Sequence, residues 1–288
     1  MSYGGHTGVN GNGGAPIESY HMLELISVSH TGPIVPTAKV SCWSKVTGSV
    51  TNGLILKDVS FELHSGEVMA ILGSKGSGKK ALIDVVGHRV AGGLGQTKGQ
   101  ILLNDVPLTA RLFQEQCGFV SRRTAMIDGL TVRQMLHYQA KMTLKTNTTV
   151  KRARIKQILA DLALTGVANR KVEELNVSEA KRLAIALQTI RDPLLLVLDD
   201  PTADLDPLNT YFVVSILSNH AKKYGRVVML TMDKPRSDIF PFLDRVTYLC
   251  LGDVVYTGST RMMMDYFRSI GFPCPELENP LMYYCKCD

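Results

Sequence analysis

Residues 22–30, MLELISVSH, alternate apolar and polar positions, the period of a strand with one buried face. LILKDVSFELHSGEVMAILG, residues 54–73, is again strand-like, and HSGE predicts a turn between two strands. The rhythm then changes. TVRQMLHYQAKMTL, VKRARIKQILADLAL and SEAKRLAIALQTIRD, all within residues 131–192, repeat their apolar positions every three to four residues and predict consecutive helices. Beyond them LLLVLDD, RVVMLTM and RVTYLCL are short unbroken apolar runs, as expected of strands buried on both faces in a largely parallel α/β sheet. The opening MSYGGHTGVNGNGGAP has no such pattern and few large apolar groups to offset its ordering entropy, so residues 1–19 are expected to be a disordered glycine-rich tail.

The composition, 288 residues with 45% hydrophobic and 20% charged, suits a globular core. The net charge of +6 is dispersed and no recognition module accompanies it, which argues against nucleic acid as a partner. The basic run Lys151, Arg152, Arg154, Lys156 is interleaved with Ile155, Ile158 and Leu159 and reads as a solvated helix face. Six cysteines, at 42, 117, 250, 274, 285 and 287, lack CxxC spacing and disulfide-scaffold density, which favours a reduced, cytosol-facing chain. Asn147 and Asn176 begin glycosylation sequons that such a chain would not use. No apolar run approaches the roughly 20 residues of a spanning helix, so the chain as given is expected to be soluble.

The chemistry concentrates in Gly73-Ser74-Lys75-Gly76-Ser77-Gly78-Lys79-Lys80, followed by Ala81. Glycines at this spacing let successive N–H groups face an anion, and the helix that follows directs its positive end there. Set between VMAIL and ALIDVV, the loop predicts a phosphate cradle in which Lys79 reaches the β- and γ-phosphates. Downstream, LLLVLDDPTADLD ends an apolar strand at Asp199, the position from which a carboxylate orders magnesium in P-loop hydrolases.

The order of phosphate loop, helical insertion, LDDPTADLD, LTMDKPRSDIF and GFPCPELENP resembles the nucleotide-binding domain of ABC transporters, in particular subfamily G half-transporters of the white and sterolin type. LTVRQML, KPRSDIF and GFPCP…NP carry the subfamily resemblance, which covers residues 21–288. It implies an α/β P-loop NTPase, the ABC-type ATP-binding cassette, over residues 20–288, with an N-terminal antiparallel β subdomain and an inserted helical subdomain at about 123–192. It further implies ATP as cofactor, lipid or sterol export, a location on the cytosolic face of a membrane, and a half-transporter partner forming a head-to-tail dimer. A membrane-spanning domain of the same or a partner chain would complete the transporter; in the family it lies past NPLMYY, and none is expected within residues 1–288.

Against the family, the catalytic positions depart in turn. Lys80 replaces the magnesium-binding Ser or Thr, Arg122 the glutamine that links γ-phosphate and metal, Asp200 the catalytic glutamate and Asp233 the switch histidine. Leu175-Asn176-Val177-Ser178-Glu179 stands where the family has LSGGE, without the glycines that let this backbone approach a partner's γ-phosphate. Lys80 opposes Mg²⁺ by like charge, which leaves the metal requirement open. Asp200 withdraws its carboxylate by on the order of 1.5 Å, a displacement that can lower a rate about a hundredfold. Asp233 turns an anion toward a polyanion. Arg122 either contacts phosphate or bridges Asp200 or Asp233. Tyr20, His30 and Trp43 are candidates for stacking on adenine. The expected activity is therefore ATP binding with impaired hydrolysis, and the alternative is a non-catalytic regulatory or dimerisation module.

Overall fold

The computed structural model describes residues 20–33, 52–90 and 95–286; the glycine-rich tail and Trp43 lie outside the described residues. Two sheets form the frame. The first is antiparallel, in the order β2-β1-β4-β5, from β1 (Met22–Pro33), β2 (Asn52–His64), β4 (Gln96–Leu103) and β5 (Val106–Pro107). The second has the order β10-β9-β3-β8-β7-β6, from β3 (Val68–Gly73), β6 (Cys117–Val120), β7 (Leu195–Leu198), β8 (Val227–Thr231), β9 (Arg245–Cys250) and β10 (Asp253–Ser259). Its strands are parallel except β10, which returns antiparallel to β9.

The unbroken apolar runs follow from burial on both faces of this second sheet. Val68, Ala70 and Leu72 of β3 join one core, together with Leu196, Leu198, Val228, Leu230 and Val246. The intervening Met69 and Ile71 join the other, with Leu195, Val197, Val227 and Met229. The first core packs most of the helices, and the second packs the antiparallel sheet with the helices that carry Leu82, Ile83 and Phe113, so alternate residues of one strand serve different layers.

Eight α-helices occur among the described residues: α1 (Lys79–Val86), α2 (Ala110–Gln116), α3 (Val132–Thr143), α4 (Thr148–Asp161), α5 (Val177–Thr189), α6 (Pro207–Tyr224), α7 (Thr260–Ser269) and α8 (Pro280–Tyr283). The three helical periods of the sequence appear as α3, α4 and α5. Thr131 and Asn176 form capping boxes with Gln134 and Glu179, and Asn147 accepts from the Val150 N–H. Both sequon asparagines thus serve as helix caps.

The basic run on α4 is less uniform than a solvated face. Arg154 Nη2 donates to Thr189 O at 2.8 Å and to Asp192 Oδ1 at 3.1 Å, clasping α4 to the end of α5. Asp192 has φ 58° and also holds Arg226. No helix among the described residues is long and apolar enough to cross a membrane.

Candidate functional site

Four parallel strands end side by side, and each hands the chain to a site residue. In register, Ile71 of β3 faces Thr231 of β8, Leu198 of β7 faces Leu230, and Val120 of β6 faces Leu198. The residues just beyond these ends are the glycine-rich loop after β3, Asp233 after β8, Asp199 and Asp200 after β7, and Arg122 after β6. Ligands of α/β sheets bind at such carboxyl ends. Here the ends enclose a cavity of about 660 Å³ lined by Lys75 to Ala81, Ser121 to Arg123, Asp199, Asp200, Thr231, Asp233 and Ile55.

The loop's shape depends on particular glycines. Gly76 and Gly78 have φ 92° and 104°, the left-handed region that favours glycine. A Cβ on Gly78 would also lie 2.9 Å from Leu56 Cδ2 and 3.2 Å from Ile55 O, because β2 backs the loop closely. The Ser77 carbonyl accepts from Gly252 N at 3.0 Å, tying the loop to the β9–β10 turn. Ser77 Oγ is buried and has no hydrogen-bond partner among the described residues. A buried hydroxyl inside a curled loop is an available donor to a bound anion.

Lys79 is 8% exposed and folds back onto the loop, donating from Nζ to Gly73 O at 2.7 Å and Ser74 O at 2.9 Å. Its third neighbour is Asp233 Oδ1 at 3.3 Å. The other oxygen of Asp233 meets Arg122 Nη1 at 3.4 Å, and the same Nη1 lies 3.5 Å from Asp200 Oδ2. Of the two readings of Arg122, this geometry has the salt bridge, and to both carboxylates at once. Lys80 Nζ sits 3.2 Å from Asp199 Oδ2 and 3.7 Å from Asp84 Oδ2.

Asp200 is buried, adopts φ 44°, and is held by its N–H on Thr231 Oγ1 at 3.0 Å and by Thr202 Oγ1 on its Oδ1 at 3.2 Å. Burial, and then the neighbouring Asp233 charge, raise its pKa above the ordinary carboxylate value, with Arg122 opposing. Burial likewise raises Asp84, against the pull of Lys80. A residue that sequence reasoning missed joins this group from the helical layer. Lys181 on α5 donates from Nζ to Arg122 O at 2.6 Å, and burial lowers its pKa while Asp200 pulls it up.

Of the aromatic candidates, Tyr20 instead bonds His64 Nδ1 at 2.6 Å, and His30 is buried against Thr97 Oγ1 at 2.9 Å. Neither lines the cavity, where half-buried Ile55 takes the apolar wall. The 175–179 segment forms the entry of α5. Asn176 Oδ1 accepts from Glu179 N at 2.8 Å, Glu179 returns to Asn176 N at 2.9 Å, and Arg170 Nη1 neutralises Glu179 at 3.2 Å. Val177 is 52% exposed, whereas Ser178 is buried with an unpartnered Oγ.

A glycine-rich loop between β3 and α1, opposed by an aspartate at the end of a parallel strand, defines a P-loop nucleotide-binding protein. The ABC transporter family profile matches residues 56–203, and the chain belongs to that family. Its relatives place it in subfamily G. ATP-binding cassette sub-family G member 5 of Homo sapiens is 34% identical over 80% of this chain and 36% of its own length. Sub-family G member 8 of Rattus norvegicus is 36% identical over 80% of this chain and 34% of its own. Protein white of Drosophila melanogaster is 33% identical over 81% and 35%. The chain thus spans about a third of the length of these curated relatives. Among solved structures, cbiO1 from Clostridium perfringens, part of the ABC transporter complex cbiONQ, shares the fold with a TM-score of 0.69 at 21% identity, covering 91% of this chain and 98% of that one.

Proposed function

We propose that this ABC domain holds ATP in the loop of residues 73–81 and hydrolyses it slowly, serving a subfamily G transporter as a nucleotide-dependent structural partner. The observation that carries this reading is the fate of the catalytic carboxylates. Asp200 and Asp233 share one guanidinium, Arg122, at 3.5 and 3.4 Å. A general base must be ionised and turned toward water, whereas Asp200 is buried, pushed toward its neutral form and held by Arg122 and Thr202. Binding needs less: the loop backbone, the Ser77 hydroxyl and Lys79 are sufficient to cradle phosphates.

The relatives' names support a place in a transporter, with lipid or sterol as the expected cargo, a membrane-spanning domain as the attached unit and a second half-transporter domain across a head-to-tail dimer. In that dimer the residues 175–179 face the partner's nucleotide. Val177 and Ser178 put side chains where glycines would allow close approach, so this chain supports neither composite site fully.

Lys79→Ala is expected to weaken ATP binding about tenfold or more, the loss of a charge-assisted hydrogen bond, and Lys80→Ala to weaken it less. Isothermal titration of the full chain with ATP, with thermal melts to confirm folding, measures both. Equal losses in the two variants would overturn the placement of the phosphates.

A further inference from the structure

Divalent magnesium is the ion that this family implies beside ATP, and the residues present do not fit it. A metal here would use the residue after Lys79 and the carboxylate of Asp199. The first is Lys80, an ammonium with three donors and no lone pair to offer a metal. The second already carries that same ammonium, with Lys80 Nζ at 3.2 Å from Asp199 Oδ2. The other oxygen, Oδ1, accepts from Thr231 Oγ1 at 3.5 Å. Asp84, one helical turn on from Lys80, also lies 3.7 Å from the ammonium.

We infer that the chain supplies its own counterion, and that the site takes nucleoside triphosphate without a metal ion. The inference rests on the ATP-site reading above. A cation seated between Asp199 and the loop is what a triphosphate requires of magnesium, and Lys80 occupies that seat while remaining long and flexible enough to turn to phosphate. Its side chain is 72% exposed at the cavity, against 13% for Asp199, so the ammonium is the end of the pair open to an arriving ligand. A dication entering the same place would meet the ammonium at close range, and like charges repel there more strongly than in bulk water. Of the other cations lining the cavity, Lys75, Lys79, Arg122 and Arg123, the pair Lys79 and Arg122 is held by Asp233 rather than by Asp199. Metal-free ATP carries more negative charge than its magnesium complex. A pocket with its own cation beside Asp199 loses nothing by binding that form.

The test is ATP affinity of the full chain by titration calorimetry, in EDTA and in excess Mg²⁺, for the native chain and for Lys80→Thr. In the native chain the magnesium complex is expected to bind no more than about threefold more tightly than free ATP, and the variant to raise that preference by at least about threefold, since it exchanges the ammonium for a metal-ligating hydroxyl. A native preference for the magnesium complex above that range overturns the inference, as does a variant whose preference rises by less. If ATP binds in neither condition, the nucleotide-site reading fails as well. Strong binding that is metal-dependent removes only the counterion role of Lys80.

Discussion

Asp233 is the most informative single residue to change, because its carboxylate stands where an arriving phosphate must interact. Oδ1 lies 3.3 Å from Lys79 Nζ and Oδ2 lies 3.4 Å from Arg122 Nη1, so the two cations best placed for phosphate are held by the chain's own anion. The bare Coulomb attraction at such a distance is about 5 kcal/mol at an effective dielectric near 20. The side chain of Asp233 is 52% exposed, however, and exposed pairs contribute only about 0.2–1 kcal/mol each after solvent and salt screening. Releasing two such contacts, and removing repulsion from the γ-phosphate, should favour ATP in Asp233→Asn by about 1–2 kcal/mol, or about 5- to 30-fold in affinity. ADP lacks the γ-phosphate and should gain less. Raising the salt concentration should shrink the difference, because the Asp233 carboxylate common to both pairs is exposed. Calorimetric titration of both nucleotides at low and high salt reads all three. An ATP affinity unchanged within about twofold, or an equal gain for ADP, would refute the idea that Asp233 competes with the phosphate.

Two further outcomes concern the scaffold. Burial lowers the pKa of His220 from its ordinary 6.5 to about 4, so the unfolded chain takes up this proton first and stability is lost as pH falls from 6.5 toward 4. The gap corresponds to about 3 kcal/mol; urea melts across that window should show it, and His220→Leu should flatten the slope, which a persisting slope would contradict. Arg154→Ala should lower stability by about 2 kcal/mol through its lost bonds to Thr189 O and Asp192, with Arg154→Lys restoring part; a change below about 0.5 kcal/mol would mean that the clasp is dispensable.

The fold was legible in the sequence where a segment's periodicity matched its burial. β7, β8 and β9 were readable because strands buried on both faces are almost wholly apolar, with Thr247 the buried exception in β9. The pattern does not state which strands pair, and the insertion of β1 between β2 and β4 follows only from long-range register. α6 was not distinguished, since PLNTYFVVSILSNHAKKY mixes buried Val213, Val214 and Leu217 with exposed Leu208, Tyr211 and Phe212 and has no single apolar stripe. At the site, the loop and Asp199 could be placed from strand and helix context alone. The bridging of Arg122 to two carboxylates could not, because it depends on β6, β7 and β8 being neighbours. Lys181 gave no signal, being an ordinary helical lysine until α5 is packed against the strand ends.

ATP held in the loop and turned over only slowly is the behaviour most directly tested, and a single-turnover measurement reads it. Full-length chain in excess over γ-labelled ATP, at concentrations where calorimetry shows the nucleotide bound, is sampled for released phosphate over hours. The expected result is bound, intact ATP with release near background, because the buried Asp200 and the Asp233 carboxylate are both engaged by Arg122. Prompt release of most of the label, abolished by Asp200→Asn, would contradict it.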